Sequence, residues 1–578
     1  MNDQLLKQMP DDMSKLPVDP EHLNRVLING YFQQHVMVRG EKRRFITYIP
    51  EEMDNCQPCL VVAPPADTKG PEFLEDSGLK RLADEKKLFV FLLLPEEGKW
   101  DLSGVDAEFM NGVYVEAQAR DYYVTMQDNF YACGIGEGAD VAQQAACKMS
   151  SEWSGLFTIG NLESDLETSG DENALGKGTQ DGELQIAAER SQLPVWMVFE
   201  TMEGKNAAAA DYWKKNNHVT EEMMSTAEAD YIWLPNPIRQ TLDMDEERIA
   251  QVRVTLKQPE ASYEQIKAIW NYIGMARRHR GQGRKNLRYF KNPEVCGAVL
   301  QEREVDGLCR IWYEYVPKCC TPDETWPLVV VMHGRGGTAE TFFDISNMFQ
   351  VANRRKFIVA WPQAGVYQQK EGGLKNVALW EGTLDGKAVD DVKFIRTIVG
   401  DMTERLPIDK GRVYACGQSS GGMMTDTLCE FAGDIFTATV SWSGLYAPHK
   451  VYMDRESSQR LVPSAVIYGD KDNLVAGETS VPGVPFTVSE EFAGSFEHKF
   501  ERYGLDRSKF QTWQDYPITW YSYPNEQGVP MFTVGIVDQM VHANYPEESW
   551  ISFDQFFCQF RRDENGTLYY RGTAVKEK

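Results

Sequence analysis

The chain repeats itself, and a long internal repeat limits its architecture more than any other feature of the sequence. PCLVVA at 58–63 is matched by PLVVVM at 327–332, FYACG at 130–134 by VYACG at 413–417, and LPVWMV at 193–198 by VPSAVI at 462–467. YIWLPN at 231–236 resembles WYSYPN at 520–525, and the segment Trp270 to Arg278, with its arginine pair, resembles the one ending in Arg561 and Arg562. The five matches keep one order, with the smallest separation at 58 to 327 and the largest at 231 to 520. A chain of 578 residues would by length alone be divided into about four domains. The repeat predicts two large ones instead: an N-terminal extension over 1–24, a first domain over 25–290 and a second over 291–578.

Within each copy, short apolar runs alternate with longer segments. The first copy offers Leu60 to Ala63, Leu88 to Leu94 and Val195 to Phe199 as strands. The second offers Leu328 to Met332, Phe357 to Ala360, Val413 to Cys416, Ala438 to Ser441 and Ala465 to Tyr468, with helical stretches at 390–405 and 422–431 between them. Continuous apolar strands separated by helices predict an α/β fold, a mostly parallel sheet covered on both faces.

The second copy carries reactive residues at meaningful places. Gly417-Gln418-Ser419-Ser420-Gly421 is a G-x-S-x-G between a strand and a helix. That context suits a nucleophilic serine on a sharp turn, because only small neighbours permit the backbone. The helix N-terminus behind it aims N–H groups at developing negative charge. His333-Gly334-Arg335-Gly336-Gly337 follows an earlier strand, so a backbone N–H of this loop and that of Ser420 are the expected oxyanion donors. His333 reads as a residue that shapes this loop. The acid and base should follow the serine in the order acid, then histidine. Asp472 is the expected acid, in the turn Tyr468-Gly469-Asp470-Lys471-Asp472, with Asp470 in reserve. Of the eight histidines only His498 and His542 come later. His498 sits in a charged helical stretch, and His542 lies between the last strand and the last helix, which makes it the expected base. Trp380, Trp442 and Tyr545 are the aromatic residues expected to line a substrate pocket.

On HGRGG, VDDVKFIRTIV (389–399), GQSSGGMM (417–424), YGDKD (468–472) and the His542 loop, residues 295–565 resemble the α/β-hydrolase esterases related to polyhydroxybutyrate depolymerases and feruloyl esterases. The resemblance implies two tandem α/β-hydrolase domains, a Ser419–Asp472–His542 triad with the Arg335 and Ser420 N–H groups as the oxyanion hole, and hydrolysis of a carboxylic ester of feruloyl, hydroxycinnamoyl or short-chain acyl type. Tyr468 stands where the family often has histidine. An acyltransferase or peptidase with the same triad, and a binding or scaffold protein without activity, remain the alternatives.

The first copy lacks these reagents. Gly136 stands at the position of Ser419, Glu203 at that of Asp472, and the position of His542 falls near Gln258. Pro64-Pro65-Ala66-Asp67-Thr68 replaces the glycine loop, and proline has no N–H to offer. Without a nucleophile or a base this copy cannot run acyl transfer. Its G-x-G-x-G departs from the dinucleotide spacing, so no nucleotide site is expected there.

Charge sets the expected partners. Asp and Glu number 86 against 60 Lys and Arg, a net charge of −26, which disfavours nucleic acid and anionic membranes. The one basic cluster, Arg277, Arg278, Arg280, Arg284, Lys285 and Arg288, reads as a solvated helix end leading into an interdomain link. The expected partner is a small ester, and self-association into a homo-oligomer stays open. Eleven cysteines and an N-terminus without an apolar signal core predict reduced thiols and a cytoplasmic address. Cys56-x-x-Cys59 and the Cys319–Cys320 pair lack the further ligands of a closed zinc site, so no metal or other cofactor is expected.

Overall fold

The computed structural model describes residues 6–9, 18–118, 122–125, 129–166, 175–177, 185–187, 191–235, 248–281, 284–369, 375–384, 387–448, 454–545 and 547–576. The chain separates into two compact units, one built mainly from 24–290 and the other from 291–578, with 18–23 counted with the second. The extension expected over 1–24 is thus shared out: Leu6–Lys7 pairs in parallel with the first unit's edge strand. Residues 1–5 and 10–17 lie outside the described residues.

Beside Leu6–Lys7 at its edge, the first unit's sheet holds ten further strands: β1 (Gly30–Val38), β2 (Glu41–Ile49), β3 (Cys59–Ala63), β4 (Phe89–Leu93), β5 (Phe130–Ile135), β6 (Gly155–Ile159), β7 (Val195–Phe199), β8 (Val219–Met224), β9 (Tyr231–Pro235) and β10 (Val252–Leu256). They lie in the order β1-β2-β4-β3-β5-β6-β7-β10-β9-β8. The second unit has β11 (Val299–Val305), β12 (Leu308–Tyr315), β13 (Trp326–Met332), β14 (Ile358–Pro362), β15 (Ile408–Gln418), β16 (Ala438–Trp442), β17 (Ser464–Gly469), β18 (Gln511–Asp515), β19 (Ile518–Pro524) and β20 (Pro530–Val537). Their order is β11-β12-β14-β13-β15-β16-β17-β20-β19-β18, the same path strand for strand. The senses agree as well. In each unit the central strands are parallel, and antiparallel pairs close both ends.

Burial explains the apolar runs. Every residue of β3, β4, β5, β6 and β7 is buried, as is every residue of β13, β14, β16 and β17. Strands covered on both faces need no alternation. The covering helices of the first unit are α1 (Leu79–Lys86), α2 (Val105–Gln118), α3 (Gly138–Lys148), α4 (Gly204–Asn216) and α5 (Tyr263–Ile273). Those of the second are α6 (Met348–Arg355), α7 (Asp391–Arg405), α8 (Ser420–Phe431), α9 (Glu490–Tyr503) and α10 (Glu548–Ile551), which runs on as a π-helical turn over Ser552–Phe556.

The two units also share buried polar contacts. Arg43 pairs with Asp106 at 2.5 Å over the ring of Phe109, and Arg310 pairs with Asp391 at 2.6 Å over the ring of Phe394. Tyr131 Oη donates to the carbonyl of Ala276 and Tyr414 Oη to that of Phe560. Arg278 donates to the Gln192 carbonyl at 2.6 Å and Arg562 to the Leu461 carbonyl at 2.9 Å. This corrects the expectation of a solvated helix end. The helix stops at Ile273, and Arg277 and Arg278 lie buried on the strand Ala276–Gly281. Arg278 also donates to the Trp153 and Ser150 carbonyls. The side chains of Arg280, Arg284 and Lys285 lie outside the described residues. The sheet register shifts one repeat match by a single residue: Ile232 faces Arg253 as Ser522 faces Thr533, so 232 corresponds to 522.

Among the described residues, no helix is long and apolar enough to cross a membrane.

Candidate active site

Three loops at the C-terminal edge of the second unit's sheet converge on one point, the edge where open parallel sheets gather their ligands. The first is the turn between β15 and α8. Ser419 sits there at φ 55 and ψ −118, a left-handed conformation that costs a non-glycine residue about 1–3 kcal/mol. Neighbours hold it in place: its N–H donates to the Trp442 carbonyl at 2.8 Å, and its carbonyl accepts from Met423 N–H at 2.8 Å. The flanking glycines are required by packing. A Cβ on Gly417 would stand 2.6 Å from the Met332 and Gly421 carbonyl oxygens, and one on Gly421 would stand 2.2 Å from that of Met332.

The second loop follows β17 and the third follows β20. Asp472 is fully buried, and both its carboxylate oxygens lie 3.0 Å from His542 Nδ1. His542 Nε2 lies 2.8 Å from Ser419 Oγ. The Leu474 N–H also donates to Asp472 at 3.0 Å. Gly469 lets the two loops meet, since a Cβ there would fall 1.8 Å from the Met540 carbonyl oxygen. That oxygen accepts from Lys471 N–H at 3.0 Å. Asp470 makes no contact with His542; its N–H donates to the Val537 carbonyl. His498 is elsewhere, on α9 beside Glu430 at 3.2 Å.

The glycine loop after β13 packs on the serine turn. A Cβ on Gly334 would meet Gln418 Oε1 at 2.4 Å and Ser419 Cβ at 3.4 Å. Arg335 is the exposed apex of this loop, and Ser420 opens α8. His333 holds the loop from below. Its Nε2 accepts from the Ala364 N–H at 3.0 Å, so Nδ1 carries the proton and donates to the Gly334 carbonyl at 2.8 Å. Burial depresses its pKa to about 4, which keeps the ring neutral.

The aromatic residues expected to line a pocket do other work. Trp442 is completely buried and donates to Ser552 Oγ at 3.0 Å, so no face of it is open to a substrate. Trp380 is 4% exposed and donates to the His333 carbonyl at 2.7 Å, bracing the glycine loop. Tyr545 is 9% exposed and packs in the core. Large aromatic rings in a sequence signal buried area as readily as binding.

One participant was not visible in the sequence. Glu548 is buried at the start of α10 and accepts from Asn544 Nδ2 at 3.2 Å, tying the His542 loop to the helix. Burial drives its pKa well above the ordinary carboxylate value. A carboxylate in the polar run 544–549 looks like an exposed helix start, and nothing in the sequence marks it otherwise.

The corresponding place in the first unit keeps the backbone and lacks the reagents. Gly136 has φ 59, and its N–H donates to the Ile159 carbonyl at 2.9 Å. Trp100 braces Pro64 as Trp380 braces His333. A Cβ on Gly136 would stand 3.1 Å from the Pro65 ring. The Ala66 N–H, at the position of Arg335, donates to the Glu137 carboxylate at 3.2 Å. Glu203 and Gln258 are exposed. The loop from β10 to α5 spans only 257–262, against 538–547 in the second unit.

No protein-family profile matches the chain. It is 24% identical over 246 residues to the probable acetylxylan esterase A of Aspergillus flavus, covering 41% of this chain and 72% of that one. The chain is related to the acetylxylan and feruloyl esterases. Feruloyl esterase B of Thermothelomyces thermophilus is 31% identical over 133 residues, 23% of this chain and 43% of that one. The solved acetyl xylan esterase from Aspergillus awamori aligns at 16% identity and a TM-score of 0.33, covering 45% of this chain and 99% of that one. The chain is a carboxylic ester hydrolase. Among the esterase's described residues, no three His, Cys, Asp or Glu side chains group to hold a metal ion.

Proposed function

We propose that the second unit hydrolyses a feruloyl-type or short-chain acyl ester, with Ser419 as nucleophile. His542 takes the serine proton as Oγ attacks the carbonyl carbon. Asp472 holds the imidazole tautomer and stabilises the imidazolium that forms. The N–H groups of Arg335 and Ser420 receive the oxyanion, and donors fixed beforehand need no reorganisation as charge develops. His542 returns its proton to the leaving alcohol. A water activated by the same histidine then cleaves the acyl-enzyme.

The observation that carries this reading is the relay itself, 2.8 Å from serine to histidine and 3.0 Å from histidine to a fully buried aspartate. The first unit acts as a non-catalytic scaffold descended from the same ancestral domain. In support, it shares the strand order, the buried Arg–Asp pair and the left-handed turn, while glycine stands at the serine position. A reducing compartment such as the cytoplasm is in keeping with an odd number of cysteines, eleven, in the sequence.

The test is a panel of feruloyl, acetyl and butyryl esters, with amides and alcohol acceptors as controls, on wild type and Ser419→Ala. The reading expects ester cleavage that the substitution abolishes. Cleavage that survives Ser419→Ala, or amide cleavage that exceeds ester cleavage, would overturn it.

A further inference from the structure

The second unit holds a cavity of about 520 Å³ that has no part in the chemistry above. Its walls come from β16, β17, β20, β19 and β18 on one side and from the helix after Ile551 on the other. It opens toward the edge of the sheet opposite Ser419. Ala465 lies at the start of β17, while Asp472 follows its end. Pro524, Gly528 and Pro530 form the turn by which the chain enters β20, while His542 follows the exit from it.

Comparison with the first unit shows why the space is there. Trp196 pairs with Arg253 and Arg253 with Ile232, in the register in which Ala465 pairs with Thr533 and Thr533 with Ser522. In the first unit the large residues fill the site: the Arg253 guanidinium lies 3.7 Å from the Tyr272 ring centre and 5.0 Å from that of Trp196. In the second unit alanine, threonine and serine leave it open. The helix wall is unusual as well. The helix widens to a π-helical turn over Ser552–Phe556, where it lines the cavity, and such turns frequently mark functional sites.

The chemistry of the walls indicates the ligand. Trp513, 45% exposed, is stacked on Trp520 with ring centres 5.9 Å apart and planes 15° apart. Trp520 is 4% exposed, and its buried Nε1–H meets no acceptor among the described residues. Its benzene edge lies over Gly535, which leaves the N–H edge on the other side. Side-chain amides of Gln511, Gln555 and Gln559 border the space; that of Gln559 is held by the Gln555 carbonyl and by Arg571, and Gln555 Nε2 donates to Asp515 at 3.4 Å, so Gln511 and Gln555 Oε1 are the amide groups offered to a ligand. The two charged groups present, Asp554 and Arg571, are of opposite sign, and Asp554 is already held by Arg355 in two bonds of 2.7 Å.

We propose that this cavity binds a neutral sugar ring, at a site separate from Ser419. An exposed indole face stacks on the C–H face of a pyranose, amides reach its hydroxyls, and one hydroxyl oxygen accepts the Trp520 N–H. A cation would meet Asp554 already held by Arg355, and a bare aromatic ring would leave the indole N–H unsatisfied; the anionic arm of the test separates a neutral sugar from a ligand drawn by Arg571.

The test is calorimetric titration of the full chain with xylotetraose, cellotetraose and maltotetraose, followed in parallel by tryptophan emission. Ferulate and tetragalacturonate serve as the aromatic and anionic arms. At least one neutral tetrasaccharide is expected to bind, equally well before and after Ser419 is blocked with a fluorophosphonate. Trp513→Ala, an exposed change that leaves the core intact, should weaken binding about tenfold or more, the order lost with one stacking platform. Ala465→Trp, which installs the first unit's residue, should abolish it while ester hydrolysis continues. The proposal is overturned if no neutral tetrasaccharide binds at about 10 mM, if blocking Ser419 removes the binding, if Trp513→Ala leaves it unchanged, or if ferulate or tetragalacturonate binds the cavity in place of the neutral sugars. Because the readout is binding with Ser419 blocked, failure here leaves the esterase reading standing.

Discussion

Replacing Gly469 by alanine should disable the enzyme from a position that touches no substrate. A Cβ at this residue would fall 1.8 Å from the Met540 carbonyl oxygen and 2.4 Å from its carbonyl carbon. Real Cβ contacts essentially never fall below 3.0 Å, and the obstacle is backbone, so the loop has to retreat by at least about 1.2 Å. Met540 is two residues before His542, and the retreat carries the imidazole away from partners now at 2.8 and 3.0 Å. A displacement of about 1 Å in a catalytic group costs on the order of a hundredfold in rate. The overpacking itself should cost about 1–3 kcal/mol of stability. The assay is kcat and KM on p-nitrophenyl acetate, alongside thermal unfolding followed by circular dichroism. The expected result is kcat down about a hundredfold, KM within a few-fold and a lowered Tm. Gly494→Ala is the control, since nothing lies within 4 Å of the added carbon on α9. A kcat for Gly469→Ala within threefold of wild type, in a folded protein, would refute the claim that this glycine sets the histidine in place.

Asp472→Asn should lower kcat by about three to four orders of magnitude, while Asp470→Asn should leave it nearly unchanged; steady-state kinetics on the same ester separates the two. His333 is buried neutral with its pKa depressed to about 4, so it stabilises the fold fully above its unfolded value near 6.5, and that contribution drains away as pH falls toward 4. Urea unfolding of wild type across that window should therefore lose up to about 3 kcal/mol that the His333→Gln variant does not lose. Burial raises Glu548 above the ordinary carboxylate value, so the protonated side chain contributes stability that is lost as pH rises above that value; Glu548→Gln should keep kcat, and its stability should fall less than that of wild type as pH rises. Gly136→Ser in a Ser419→Ala background should take up no fluorophosphonate, because the first unit brings no histidine to that turn.

The apolar runs made the central strands β3, β4, β7, β13, β14, β15, β16 and β17 legible, because strands buried on two faces are written as uninterrupted hydrophobic segments. Ser419, Asp472 and His542 were legible for a related reason: each follows a recognisable strand, and the chain holds few histidines. What escaped was the identity of buried polar and aromatic groups. Arg278 reads as a surface charge until three carbonyl groups are seen around it. Trp442 and Trp380 read as pocket walls until their indole N–H groups are found facing inward. The outer strands β1, β2, β8, β9, β11, β12, β18 and β19 were not assigned from pattern, since half-exposed hairpins depend on their partners for register. The cavity was beyond reach for the same reason, as it exists only where Ala465, Thr533 and Ser522 come to lie side by side.

The central claim is that Ser419 is the nucleophile and that it alone in the chain is activated. Intact-mass analysis of the full chain after treatment with a fluorophosphonate, followed by peptide mapping, measures this directly. The account predicts one adduct per chain, on the peptide containing Ser419, and none in Ser419→Ala or after His542→Ala. An unlabelled wild-type protein, or an adduct on any other residue, would contradict it.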